Sequence, residues 1–174
     1  MASLGHTTDG RIWYMCRGKW PANIKTEVDE KGVAFKSKMK TLELVGLFLP
    51  FLTMPELVRG RHVSLEVDNK SVVHAWLNKS AKGDMSASVL VRALMVVTAF
   101  LECRLYVQHT KRNTTRESFL ADCLTRDHTA DKAWPDMADA RVEDPPADLW
   151  GWLKNPIADW QLGFKLIDNL KRRL

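Results

Sequence analysis

From Arg61 to Asp68 polar and apolar residues alternate without a break: Val63, Leu65 and Val67 take one face, and His62, Ser64, Glu66 and Asp68 the other. A period of two belongs to a strand with one buried face, so this segment predicts a strand ending on an aspartate. The pattern upstream is different. From about Ser37 to Leu52, the residues Leu42, Leu44, Val45, Leu47, Phe48 and Leu49 leave almost no polar face after Lys40, which predicts a largely buried helix. Pro50 is expected to kink or end that helix, because proline lacks the backbone donor. One acid, Glu43, stands inside the apolar run.

The remaining segments fill in an order of elements. Between Arg11 and Ile24, the residues Ile12, Trp13, Tyr14, Met15 and Trp20 predict two strands broken near Arg17 and Gly18. Residues 25–37 read as a turn followed by a third strand at Val33 to Phe35. After Asp68, the polar Asn69, Lys70 and Ser71 lead into Val72, Val73, Trp76 and Leu77 at helical spacing. A flexible stretch from Lys79 to Asp84 is expected before a longer helix carrying Val89, Leu90, Ala93, Leu94, Val97, Phe100 and Leu101. A short strand from Leu105 to His109 follows, then a basic loop with Lys111, Arg112 and Arg116, then a short helix with Phe119, Leu120, Asp122, Cys123 and Leu124. Strands, helix, strand, helices, strand and helix in that order predict an α/β fold, a mixed sheet covered by helices.

Beyond His128 the composition turns to Asp, Ala and Pro, and Pro145 with Pro146 marks a linker. Leu149, Trp150, Trp152, Leu153, Ile157, Trp160, Phe164, Leu166, Ile167 and Leu170 then predict one or two amphipathic helices. The expected organisation is a domain over residues 1–128 and a linker with a Trp-rich helical tail over 129–174.

Charge sharpens this division. Residues 1–128 hold 19 Lys and Arg against 13 Asp and Glu, and the remainder holds 7 against 8, so the basic character belongs to the main domain. A basic domain points to a polyanionic partner, nucleic acid above all, or is simply well solvated. No segment approaches the roughly 18 apolar residues of a membrane span, so no membrane partner is expected. Met1 to Gly10 lacks the basic and apolar regions of a secretory signal. Cys16, Cys103 and Cys123 have no metal-like spacing and read as reduced, packed thiols, which suits an intracellular protein of the cytoplasm or nucleus.

Three acids occupy places where acids are unwelcome: Glu43 in an apolar helix, Asp68 at the end of a buried strand and Asp122 in an apolar helical segment. Singly, each has an ordinary explanation, such as a salt bridge or a helix cap. Jointly they point to the carboxyl edge of an α/β sheet, where strand ends and flanking helices converge and ligands usually bind. Clustered carboxylates repel unless a divalent cation compensates, and Mg²⁺ is the hard, oxygen-preferring ion for such a site. Two such ions about 4 Å apart activate a water and steady the leaving oxygen in phosphodiester hydrolysis.

At this point a resemblance enters. TLELVGL, VSLEVDNKSVVHAW and, after a strand ending in Gln108 and His109, FLADCLTRD resemble the three core blocks of ribonuclease-H-like domains, most closely those of retrotransposon reverse transcriptases, including the DIRS-like group. It covers roughly residues 2–127. The resemblance implies a ribonuclease-H-like mixed sheet and an endonuclease that hydrolyses the RNA strand of RNA–DNA hybrids with two Mg²⁺ or Mn²⁺ ions. It further implies Glu43, Asp68 and Asp122 as catalytic metal ligands, and His109 as a residue that positions substrate or releases product, unless it is an ordinary strand-end histidine.

Two departures weigh against a complete site. The family opens its first strand with a metal-binding Asp, often in an Asp-Ala-Ser sequence, whereas this chain reads Met1-Ala2-Ser3. Asp9 is the nearby replacement, although its Asp9-Gly10 setting is better read as a hairpin turn. With that ligand missing, the alternatives are a fragment that begins too late or a degenerate module that binds nucleic acid or scaffolds a larger polyprotein. The loop from Thr110 to Ser118 is also longer than the family's usual link, which leaves the register of Asp122 open.

A hybrid duplex would be gripped through its backbone shape, without sequence specificity. Lys79, Lys82, Lys111, Arg112 and Arg116 are the candidate phosphate contacts, against the reading of ordinary loop charges. Asn69 either bonds a sugar or phosphate beside Asp68 or caps the following helix. Trp13, Trp20 and Trp76 are expected in the core, and the Trp-rich tail to dock on the domain or on an adjoining polymerase.

Overall fold

The computed structural model describes residues 2–6, 12–17, 34–112, 114–124, 141–144, 146, 149–153 and 158–174. The chain begins with strand β1 (Ala2–His6) antiparallel to β2 (Ile12–Arg17), with Leu4 opposite Met15 and an irregularity between Gly5 and His6. The Asp9-Gly10 segment between them, and Trp20, lie outside the described residues. Of the two strands expected within Arg11 to Ile24, the first is β2, which pairs with β1 earlier in the chain, and residues 18–24, where the second was expected, lie outside the described residues.

Helix α1 (Ala34–Thr53) takes in Ala34 and Phe35, so the strand expected at Val33 to Phe35 is not formed there. Both positions lead without a breaker into Lys36, Ser37 and Lys38, and the strong helix former Ala34 extends the helix toward its start. Its second half is buried on nearly every side through Leu44, Val45, Leu47, Phe48, Leu49, Phe51 and Leu52. Pro50 sits inside α1 and does not end it. The stop comes from Pro55, which excludes the helical region for the residue before it. Met54 accordingly leaves the helix with φ −138° and ψ 58°, and Pro55 starts the short helix α2 (Pro55–Val58).

Strand β3 (His62–Val67) shows the alternation of its sequence, with Val63, Leu65 and Val67 turned inward and His62, Ser64 and Glu66 exposed. It pairs in parallel with β4 (Arg104–His109), from His62 opposite Arg104 to Val67 opposite His109. A parallel pair needs a crossover, and helices α3 (Lys70–Leu77) and α4 (Met85–Phe100) supply it. The turn between them, expected to be flexible, is tied down. Ser88 Oγ accepts from Ala81 N at 2.9 Å and lies 2.9 Å from the Asp84 carbonyl, to which it can donate, while Asp84 Oδ1 caps α4 by accepting from Ala87 N. Helix α5 (Arg116–Leu124) is started by Thr115 and Ser118, whose hydroxyls each accept from the other's backbone N–H.

The last part of the chain joins the same core. Strand β5 (Arg141–Glu143) adds to β2 in parallel, giving the order β1-β2-β5. Short helix α6 (Leu149–Leu153) and helix α7 (Leu162–Lys171) contribute Leu149, Leu162, Leu166 and Leu170 to the hydrophobic cluster that holds Leu90, Ala93, Leu94 and Val97 of α4. At the end of α7, Arg173 donates to the carbonyls of Leu52 and Thr53, satisfying acceptors that the end of α1 leaves open.

The architecture is thus mixed α/β. Among the described residues the strands form two sheets, the three-stranded mixed sheet and the parallel pair β3-β4, where the sequence predicted one. The three cysteines are free and buried, as expected. No helix among the described residues is long and apolar enough to cross a membrane.

Candidate metal and nucleic-acid site

The parallel pair presents its carboxyl edge at Val67 and His109, and the chain turns there twice. Asp68 is the first residue past β3, and Asn69 caps α3 by accepting from Ser71 N through Oδ1 at 2.9 Å. Past β4, Thr110 N donates to Val67 O at 2.9 Å, which holds the start of the basic loop against the end of β3. That loop carries Arg112 back over the edge.

Arg112 joins two of the three acids. Its Nε lies 3.1 Å from Asp68 Oδ2, and its Nη2 lies 3.2 Å from Asp122 Oδ1 on α5. Asp122 is the more enclosed of the pair, its side chain 13% exposed against 42% for Asp68. On α5 the residues Leu120, Cys123 and Leu124 are buried, which fixes the helix face and leaves Asp122 facing the loop.

Glu43 completes the group from α1. Burial raises its carboxyl above the ordinary value near 4.5; a hydrogen bond from Asn69 opposes the shift, the charge of Asp68 adds to it and Arg112 opposes it. One oxygen, Oε2, is buried and has no hydrogen-bond partner among the described residues. The contrast with Glu66 is sharp. That acid is exposed, and its two oxygens accept from Gln108 Nε2 at 3.1 Å and Thr110 Oγ1 at 2.9 Å. A buried carboxylate oxygen with nothing bound to it is costly unless a cation or a proton meets it.

Two acids far apart in sequence, from the end of β3 and from α5, thus share one guanidinium, and Glu43 of α1 lies close enough to Asp68 and Arg112 to feel both charges. Strand β1 packs against both α1 and α5. Among the described residues, no group of three or more His, Cys, Asp or Glu side chains is arranged to hold a metal ion. Between Asp68 and Asp122 stands Arg112, paired with both. The donor chemistry nevertheless fits a hard divalent ion, being all carboxylate oxygen with one oxygen buried and unsatisfied.

The other expected residues distribute unevenly. His109 is exposed at the end of β4, in register with Val67 and so beside Asp68. Asn69 serves as the helix cap and as a donor to Glu43. Lys111 and Arg116 are exposed on either side of Arg112 in sequence. Lys79 and Lys82 lie past the other end of α3, about 12 Å of helix rise from Asn69, and Lys79 Nζ sits 4.2 Å from the centre of the Trp76 ring. Trp76 is a core residue, as expected, and Trp13 lies in β2. Met1 and Asp9, the two positions that bear on the missing first-strand acid, lie outside the described residues.

Sequence reasoning put Arg112 among phosphate contacts and missed its bond to the acids. The available signal was its place, a cation midway between two acids in the last two blocks. No protein-family model, no curated protein and no solved structure matches this chain.

Proposed function

We propose that the chain is a ribonuclease-H-like, metal-dependent endonuclease domain that hydrolyses the RNA strand of RNA–DNA hybrids, of the kind joined to a reverse transcriptase polymerase. The observation that carries this reading is that Asp68 and Asp122 share Arg112 beside the carboxyl edge of β3 and β4, with Glu43 bonded to Asn69 and within electrostatic reach of Asp68. Glu43, Asp68 and Asp122 would hold Mg²⁺ or Mn²⁺, two ions as in the family it resembles. When bound, such ions activate the attacking water and stabilise the leaving oxygen.

The chain's own residues prepare the site. Asn69, fixed by its cap on α3, donates to Glu43 and orients that carboxylate. His109 stands exposed next to the end of β3, where it meets substrate or product. Lys111 on the loop and Arg116 at the start of α5, with Lys79 and Lys82 beyond the far end of α3, offer cations to the backbone of a duplex, with affinity that falls steeply with salt.

A second reading, a ribonuclease-H-like module that binds nucleic acid without cutting it, is favoured by one observation: Arg112 already neutralises Asp68 and Asp122. Labelled hybrid separates the two. The enzyme cuts the RNA strand when Mg²⁺ or Mn²⁺ is added, and Asp68→Asn reduces cutting to background. Salt-sensitive binding of the duplex with no cleavage in either metal supports the module instead.

A further inference from the structure

Arg112 bonds Asp68 and Asp122 through different nitrogens, Nε and Nη2, so that one planar group spans residues from two separate elements. The loop that carries it is held at its start by Thr110 N on Val67 O and closed on itself by Thr114, whose Oγ1 donates to Lys111 O at 2.6 Å. Yet the Arg112 side chain is 58% exposed. Its pair with Asp68, open to water on both sides, is worth only about 0–1 kcal/mol, whereas the more enclosed Asp122 gives up its partner at little cost only if another cation takes that place. Glu43 Oε2, meanwhile, is buried and has no hydrogen-bond partner among the described residues.

We propose that Arg112 is the resident counter-ion of the carboxylate cluster and exchanges with the divalent cation, withdrawing from Asp68 and Asp122 as the metal enters. The inference rests on the metal-centre reading above and adds how the site is loaded. In the metal-free protein Arg112 keeps Asp68 and Asp122 from repelling one another. In the loaded protein it is released at the rim of the site, where a guanidinium pairs well with a phosphate. Metal and duplex then favour each other's binding, because each favours the released arginine.

The test is Mn²⁺ binding without nucleic acid or turnover, read from the electron paramagnetic resonance signal of free Mn²⁺. Wild type, Arg112→Gln and Arg112→Lys are compared, each with and without Asp68→Asn. Exchange predicts that Arg112→Gln binds Mn²⁺ about ten-fold more tightly than wild type, which is about 1.4 kcal/mol. Arg112→Lys keeps a charge on the same exposed loop but cannot span both acids, and gives a smaller gain; it reads the same exchange if the glutamine variant does not fold. Asp68→Asn weakens binding in every case. Equal affinity in wild type and Arg112→Gln, still lost with Asp68→Asn, overturns the exchange and leaves the metal centre standing. No Mn²⁺ binding by any variant removes the metal centre, and the exchange with it.

Discussion

Glu43 carries its charge at a cost. Burial holds its carboxyl above the ordinary value near 4.5, and the Asn69 hydrogen bond and Arg112 do not cancel that rise. The folded chain then binds this proton more tightly than the unfolded chain. The stabilising contribution is full below the unfolded value and is lost as pH rises through the folded one. Glu43→Gln, neutral at every pH, is therefore expected to melt higher than wild type at neutral pH and to converge with it below about pH 4.5. Melting curves across that range check this, and a glutamine variant that melts lower at pH 7 contradicts it. Glu43 and Asp68 were legible in the sequence because each breaks a pattern, an acid in an apolar helix and an acid at the last step of an alternation. Arg112 breaks no pattern, because loop conformation leaves no periodic trace; its pairing depends on where Thr110 and Thr115 anchor the loop.

At the scale of elements, alternation located β3 and helical spacing located α3 and α4, since each buries one face against a core whose period the sequence must follow. The errors arose where local preference and tertiary context diverge. Aromatic and β-branched residues around Val33 to Phe35 suggested a strand, but a strand needs a partner, while helix α1 extends by its own hydrogen bonds. Pro50 suggested a kink or an end of the helix; the end is excluded, since the packing of Phe48, Leu49, Phe51 and Leu52 carries α1 past it. The crossing of α7 on α4 was also hidden, because it turns on the absence of a side chain. A Cβ at Gly163 would lie 2.9 Å from Val96 Cβ and 3.2 Å from Ala93 Cα. Gly163→Val is expected to cost about 1–3 kcal/mol by forcing the helices apart. Chemical denaturation measures this; an unchanged midpoint would show that α7 does not pack closely in solution.

For the molecule as a whole, the sequence conveyed the class, strands and helices in an α/β order, and its concentration of positive charge in residues 1–128. It did not convey that β3 and β4 stand as a pair apart from β1, β2 and β5, since which strands pair is decided by contacts between distant segments. Nor did it convey that Arg173, at the far end of the chain, closes the end of α1, whose earlier turns carry Glu43. Through that contact the last helix braces the element that brings the first acid to the site. The claim on which the rest depends is that Glu43, Asp68 and Asp122 share a cation. Anomalous diffraction from crystals soaked in Mn²⁺ tests it most directly. The account predicts a peak at bonding distance from oxygens of all three side chains, with Arg112 turned away. The absence of a peak there, with Arg112 still bridging Asp68 and Asp122, would contradict it.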